Sequence, residues 1–547
     1  MTTTRATRTD RPRTFSMKEA LPVTHVTFRP LRRLLVLLVL LLAALALPTQ
    51  AFAQTVPGSQ ITIAIGELPT SLDPPRDWAI ASTWVHMNMF DCLIWRDRET
   101  MEFVPYLATS WENLDDRTWR MELREGVTFH NGEPFDADAV VWTYERITSA
   151  PGGQADFITF NQWTFIEQIN VLGPFEIEIV TRTPDPSFLS RMAGTGCGIQ
   201  APVAGRAMAE SGEYTPIGTG PYRFVSYARD DNLVMEANPD WYFAPPAIER
   251  ITWRSVPEVS TRVASLLTGA ADLISGVPFQ DWQRINANDG TSVTEFLTTQ
   301  VMMLAMRSGA NQQFPEFSGP TEDVLIRRAI SYAIDRETII DVIDGLGVPT
   351  LSRMTPPTLG WSPEYYDTFG VYDPERAMEL LAEAGYDGEE LTFHTSATWI
   401  NQRALAEVIT AMLQAVGLNV NLQIMDTTTF REQIYFPYQN RELYLDALGN
   451  SFFDPWIVVL SERSDRRERS GWSGPVADEV DALIRAAAVN MNIEEREAQY
   501  QEIQRLLLQE AVTLPLYQMI DAVGTSDRLN WSPPQDGFFW MGNATLD

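Results

Sequence analysis

The sequence predicts an α/β protein of two or three domains, and three observations carry that prediction. The chain has 547 residues, too many for one small core. Its composition is globular, with 45% hydrophobic, 11% aromatic and 21% charged residues, which excludes a disordered or collagen-like chain. Its second half alternates helical and strand-like hydrophobic periods, a pattern that predicts a sheet covered by helices.

The first element is an export signal. Arg29, Arg32 and Arg33 precede the apolar run Leu34–Leu47, Pro48 ends it, and Ala51-Phe52-Ala53 offers a cleavage site before Gln54. Fourteen helical residues rise about 21 Å, short of the hydrocarbon core, which disfavours an uncleaved anchor. No cysteine follows the cleavage site, so lipid attachment there is not expected, and either Met1 or Met17 serves as the start. The strands and helices then follow in order. Ile61, Ile63 and Ile65 alternate with Thr62 and Ala64 as a strand, and Thr118–Phe129 reads as a hairpin turning near Glu125-Gly126. Ala137–Ile147 reads as a helix and Phe175–Ile179 as a half-buried strand. Glu322–Ile334 is helical, with Leu325, Ala329, Ile330 and Ala333 on one face. Asp373 caps a helix opened by Pro374 and closed at Gly385. Gln402–Val416 is a helix that runs into the strand Leu418–Ile424. Asn492 with Glu495 forms a capping box, and the helix it opens places Tyr500, Ile503, Leu506 and Leu507 together.

The charge balance, 41 basic against 72 acidic residues and net −31, argues against nucleic-acid binding. A solvated acidic surface suits an exported protein, and salt adaptation stays open. The four histidines show no zinc spacing, and no nucleophile elbow or phosphate loop occurs, so no cofactor or metal is expected. Gly194-Thr195-Gly196-Cys197-Gly198 lacks the frame of a dinucleotide loop. Cys92 and Cys197 are the two cysteines; an oxidising compartment allows a disulfide, with two buried thiols as the alternative. Sixteen tryptophans stand out, and Trp78, Trp399 and Trp456 fall at loops or element ends, where aromatic rings line clefts.

From Leu72-Asp73-Pro74 onward the chain resembles the dipeptide/oligopeptide-binding proteins of ABC importers, extracytoplasmic solute-binding family 5. The segments that carry the resemblance come in family order: Val104–Trp111, Leu123–Phe135, Pro216-Ile217-Gly218-Thr219-Gly220-Pro221-Tyr222, Ala333-Ile334-Asp335-Arg336, Tyr372-Asp373-Pro374, Leu380–Tyr386, Asp454-Pro455 and Leu514-Pro515-Leu516-Tyr517. The resemblance implies an α/β, periplasmic-binding-protein-like type II (cluster C) fold, with two lobes joined by a hinge and an extra domain on lobe one. By analogy residues 1–53 are the signal peptide, 54–85 with 205–290 and 515–547 lobe one, 86–204 the extra domain, and 291–514 lobe two. The crossings near Gly290 and Leu514 are the expected hinges. The implied function is periplasmic capture of a peptide or peptide-like solute for a membrane permease, by a monomer that is not an enzyme.

The solute is less constrained. Peptide binders of the family place an aspartate shortly before the Asp-Pro to pair with the peptide amine; here Asn450 or Ser451 stands there. The arginine expected near Thr398–Gln402 is replaced by Trp399-Ile400-Asn401. The expected ligand is therefore an oligopeptide held by its backbone or a non-peptide such as an opine, a sugar or a metal chelate, with a sensor-only binding protein as the further alternative. Trp78, Trp399, Asn450, Phe453, Trp456 and Tyr517 are the expected cleft contacts.

Overall fold

The computed structural model describes residues 55–547 apart from 78, 212–213, 313, 397–400, 436 and 535. The expected signal segment, Trp78 and Trp399 lie outside the described residues.

The strands of the main sheet are, in chain order with those of a smaller sheet, β1 (Val56–Ile65), β2 (Ala108–Asn113), β3 (Thr118–Leu123), β4 (Ile166–Gly173), β5 (Glu176–Thr181), β6 (Tyr222–Ala228), β7 (Asn232–Ala237), β8 (Ile248–Ser255), β9 (Leu273–Ile274), β10 (Thr291–Met306), β11 (Gly347–Pro349), β12 (Glu390–Thr395), β13 (Asn419–Ile424), β14 (Leu443–Leu448) and β15 (Thr513–Ser526). The main sheet runs β13-β12-β14-β10-β15-β9-β1-β8-β7-β6, with β11 added to β15. The smaller sheet runs β2-β3-β5-β4. The helices used below are α1 (Ile80–Met89), α2 (Ala137–Thr148), α3 (Val324–Ala333), α4 (Pro374–Ala384), α5 (Gln402–Ala415), α6 (Pro475–Ala487) and α7 (Ile493–Gln509).

Alternation in β1 sends its side chains into two cores. Ile61, Ile63 and Ile65 pack with Val85 and Met89 of α1 and with Phe539 and Met541, whereas Ala64 faces Val263 and Ile274. Each isoleucine so buried contributes about 1.5–3 kcal/mol over an exposed one. At the other end of the sheet Met302, Leu304 and Met306 of β10 pack with α3, α4 and α5. A third core joins Met121, Ile177 and Ile179 of the smaller sheet to Val140 of α2. Residues of α6 and α7 share a fourth, around Tyr500 and Ile503. These separate cores, on a sheet whose two halves are joined through the long adjacent strands β10 and β15, are consistent with a two-lobe α/β architecture.

The helix ends follow the sequence signals. The Asp373 side chain accepts from Arg376 N at 2.9 Å, and Gly385 sits at φ +69, a left-handed end that suits glycine. The Asn492 side chain accepts from the N–H groups of Glu494 and Glu495 at 3.1 and 3.2 Å.

One expectation is corrected. Thr118–Phe129 is not a hairpin: β3 pairs with β2 and β5 instead. The reason is Asp115, whose Oδ1 accepts from Arg117 N and Thr118 N at 2.9 Å each and so sets the turn before β3. Gly290 (φ +84) precedes β10 in a turn where its carbonyl accepts from Asp527 N. The ladder between β10 and β15 shifts register twice, between Leu297 and Val301, opposite Gln518–Ile520, and between Met302 and Met303, opposite Tyr517 and Pro515 and next to Leu514.

Candidate functional site

Three adjoining cavities form one cleft. The first, about 50 Å³, is walled by α1, Arg96, Arg98, the loop 193–198, the Ser451–Phe453 segment and Asp536. The second, about 210 Å³, shares Thr83, Thr195, Ser451, Asp536 and Phe538 with it and adds Trp84, Phe296, Thr298–Gln300, Gly449 and Asp521. The third, about 200 Å³, shares Thr298, Gln300 and Asp521 with the second and reaches Ile343, Asn401 and Tyr517. The floor is thus the register break of β10 and β15. One wall comes from α1 and the 536–538 segment, the other from the segment after β14.

Two other cavities are larger. One of about 250 Å³ lies against β10 and β14, where Arg353 and Arg469 are already bonded to Glu462 and Asp446 at 2.8 and 3.0 Å. Another, about 380 Å³, is lined between α3, α4 and the end of α7 within one core. Neither draws its walls from both ends of the sheet. The cleft does, and it mixes aromatic surface with convergent hydroxyl, amide and charged groups, the chemistry of a small-molecule site.

Arg96 ties the walls together. Its guanidinium donates to Met101 O at 2.9 Å and Ser190 Oγ at 3.1 Å on one side, and to Phe452 O at 3.2 Å across the cleft. It also lies over the rings of Phe103 and Phe453, at 4.2 and 5.5 Å from their centroids. Burial pushes its pKa down to about 10, so it stays charged at neutral pH. Arg98 is ion-paired with Asp536, whose carboxyl burial pushes up above the usual range. The Phe452 ring lies against Gly194 so closely that a Cβ there would sit 2.4 Å from it. The glycine-rich loop is therefore a close-packing surface for the opposite wall. Cys92 and Cys197 are joined as a disulfide, Cα–Cα 5.2 Å, and both line the first cavity.

The expected contacts divide. Phe453 lines the first cavity, at φ +50, and Tyr517 lines the third. Asn450 is buried away from the cavities, where its Nδ2 donates to Thr358 Oγ1 at 3.1 Å. Trp456 lies outside them too, with the Arg191 guanidinium 4.1 Å from its ring centroid. The root of this segment is fixed by Arg496, which donates to both oxygens of Asp454 at 2.9 and 2.6 Å. Sequence reasoning missed Trp84, Arg96, Arg98, Phe452, Asp521 and Asp536, and named Ser451 only beside Asn450, as standing where an amine-pairing aspartate is expected. An Arg-x-Arg spacing and single aspartates carry no local signal, since only the fold brings segments hundreds of residues apart to one cleft.

Known proteins resemble this chain over most of its length. The family model for bacterial extracellular solute-binding proteins, family 5 (middle region), matches residues 102–461. The glutathione-binding protein GsiB of Pectobacterium atrosepticum is 29% identical over 368 residues, 66% of this chain and 69% of that one. The glutathione-binding protein GsiB of Escherichia coli K12 is 24% identical over 515 residues, 91% of this chain and 97% of that one. Among solved structures, the dipeptide-binding protein of Pseudoalteromonas sp. SM9913 in complex with Met-Leu superposes with a TM-score of 0.76 at 22% identity, covering 89% of this chain and 100% of that one. The shared fold is that of periplasmic binding proteins.

Proposed function

We propose a function from one premise: the chain belongs to family 5 of the bacterial extracellular solute-binding proteins. In this reading it is the periplasmic substrate-binding component of an ABC importer. It takes a peptide or peptide-like small solute into the interlobe cleft and hands it, unchanged, to a membrane permease. The observation that carries the reading is the cleft itself, whose two walls meet over the register break of β10 and β15. Support for the solute class comes from the relatives, whose names state glutathione and dipeptide binding.

The domain limits that go with it are 54–85, 205–290 and 515–547 for lobe one, 86–204 for the extra domain and 291–514 for lobe two. The proposed pivot is the stretch Leu297–Met303 of β10, where the ladder with β15 shifts register twice. A solute that touches both walls favours the closed state, because only there are all its contacts made. The Arg96 bond to Phe452 O and the Arg191–Trp456 stack add protein contacts to that state. Micromolar affinity is a net of about −8 kcal/mol after closure and ordering are offset.

Export through the segment before Gln54, the periplasm as destination, the lack of a lipid anchor and a monomeric state belong to the same proposal. Among the described residues no helix is long and apolar enough to cross a membrane. In the same proposal the protein acts as a binder and not as an enzyme, in line with the solute-binding family to which it belongs.

Isothermal titration of the mature protein with reduced glutathione, trialanine and Met-Leu tests the function. One-to-one binding in the micromolar range or tighter is expected for at least one of them. If none binds while an opine, a sugar or a metal chelate does, the non-peptide alternative replaces the peptide reading.

A further inference from the structure

The charged groups that line the cleft are engaged by the protein with one exception. Arg98 pairs with Asp536, and Arg96 gives its hydrogen bonds to Met101, Ser190 and Phe452. Asp521 lines both the second and the third cavity. Among the described residues it has no ion pair and no hydrogen bond with another side chain; its Oδ1 accepts the backbone N–H of Ala522, at 2.7 Å. The cation that acts on it electrostatically is Arg262, whose guanidinium donates to the carbonyls of Ser275, Val256 and Pro257 instead. Burial pushes the Asp521 carboxyl above the usual carboxylate range, as expected for an anion with no cation at hand.

The surroundings of Asp521 in the second cavity are neutral on most sides. They supply hydroxyls from Thr298, Thr299 and Ser451, the Gln300 amide, and the Trp84 and Phe296 rings. Asp536, which also lines this cavity, is paired with Arg98, so Asp521 is the unpaired carboxylate among hydroxyls and aromatic faces, and it complements a small cation that can also donate hydrogen bonds. It is a poor host for an anion, and a wholly neutral solute would leave a partly desolvated charge unpaired.

We propose that Asp521 is the anchor for an ammonium group on the captured solute. This rests on the solute-capture function above and adds the charge class of the solute. The anchor stands on β15 opposite Phe296, one residue from the register break. A cation held there bears on the strands that must bend when the cleft closes.

The test titrates trialanine, reduced glutathione and N-acetyl-trialanine into the wild type, Asp521→Asn and Asp521→Ala, with thermal melts to check that the variants fold. A free-amine probe is expected to bind the wild type. Acetylation of the probe and either substitution should each weaken binding by about 10- to 100-fold, the range of one charge-assisted hydrogen bond. The acetylated probe should bind wild type and variants alike. If Asp521→Asn holds the free-amine probe as tightly as the wild type does, the anchor is overturned and the capture function stands. If no probe binds the wild type, the peptide reading falls, and the anchor falls with it.

Discussion

Raising the pH from 5 to 8 should weaken the fold through one residue, Asp91. Its side chain is 1% exposed, and its Oδ2 accepts from Thr219 Oγ1 at 3.0 Å and from Trp241 Nε1 at 3.3 Å. Two neutral donors do not replace the hydration of a full charge, and the Arg124 guanidinium acts on it only at a distance, donating to Tyr106 O. Burial therefore pushes the carboxyl from 3.8 up to about 7. The folded state then holds a proton that the unfolded state has lost. A raised carboxyl of this kind leaves stability intact below the unfolded pKa, near 3.8, and drains it as pH rises through about 7. At about 1.4 kcal/mol per pH unit the full linkage is roughly 4 kcal/mol. About 3 kcal/mol of that falls between pH 5 and pH 8. Asp91→Asn removes the titration and keeps an oxygen for both donors. Urea unfolding followed by tryptophan fluorescence at pH 5 and pH 8 should show the wild type losing stability relative to the variant by about that amount. If the two proteins keep a constant difference across that range, the account of Asp91 as a buried, nearly uncompensated acid is wrong.

Three further outcomes follow from the same geometry. Reduction, or the paired change Cys92→Ser with Cys197→Ser, opens a loop spanning 105 residues and should lower stability by about 4–5 kcal/mol in urea melts; an unchanged midpoint would remove the bridge from the account. Asp454→Ala leaves the buried Arg496 guanidinium unpaired and should cost about 3–5 kcal/mol, read as a lower urea midpoint. Arg96→Ala removes the bond across the cleft to Phe452 and should raise the dissociation constant of a bound peptide by about tenfold, within the range for a charged hydrogen bond, measured by titration calorimetry.

Local chemistry made much of the fold legible. Asp373, Pro374 and Gly385 bounded α4, Asn492 opened α7, and the Ile61–Ile65 alternation placed β1, because caps and periods act within a few residues. The hairpin at 118–129 was misread because Gly126 also adopts a turn (φ +76), while the pairing of β3 was decided by the Asp115 turn and by β5. The hinge crossings were expected near Gly290 and Leu514; the ladder of β10 and β15 shifts register at Leu297–Val301 and again at Met302–Met303, beside Leu514, and neither shift has a local sequence signal. The site was the least legible part. Phe453 and Tyr517 reach the cleft, but Asn450 turns to Thr358, and Arg96 shares the cleft with Asp521 and Asp536 from more than 400 residues away along the chain. No local pattern encodes such a meeting.

The central claim is that a solute enters between the lobes and leaves unaltered. Native mass spectrometry of the mature protein incubated with trialanine and with glutathione tests it most directly, followed by denaturing release and weighing of the recovered solute. A one-to-one adduct whose solute returns at its original mass is the predicted result. An absence of adduct with both, or a recovered solute of changed mass, would contradict it.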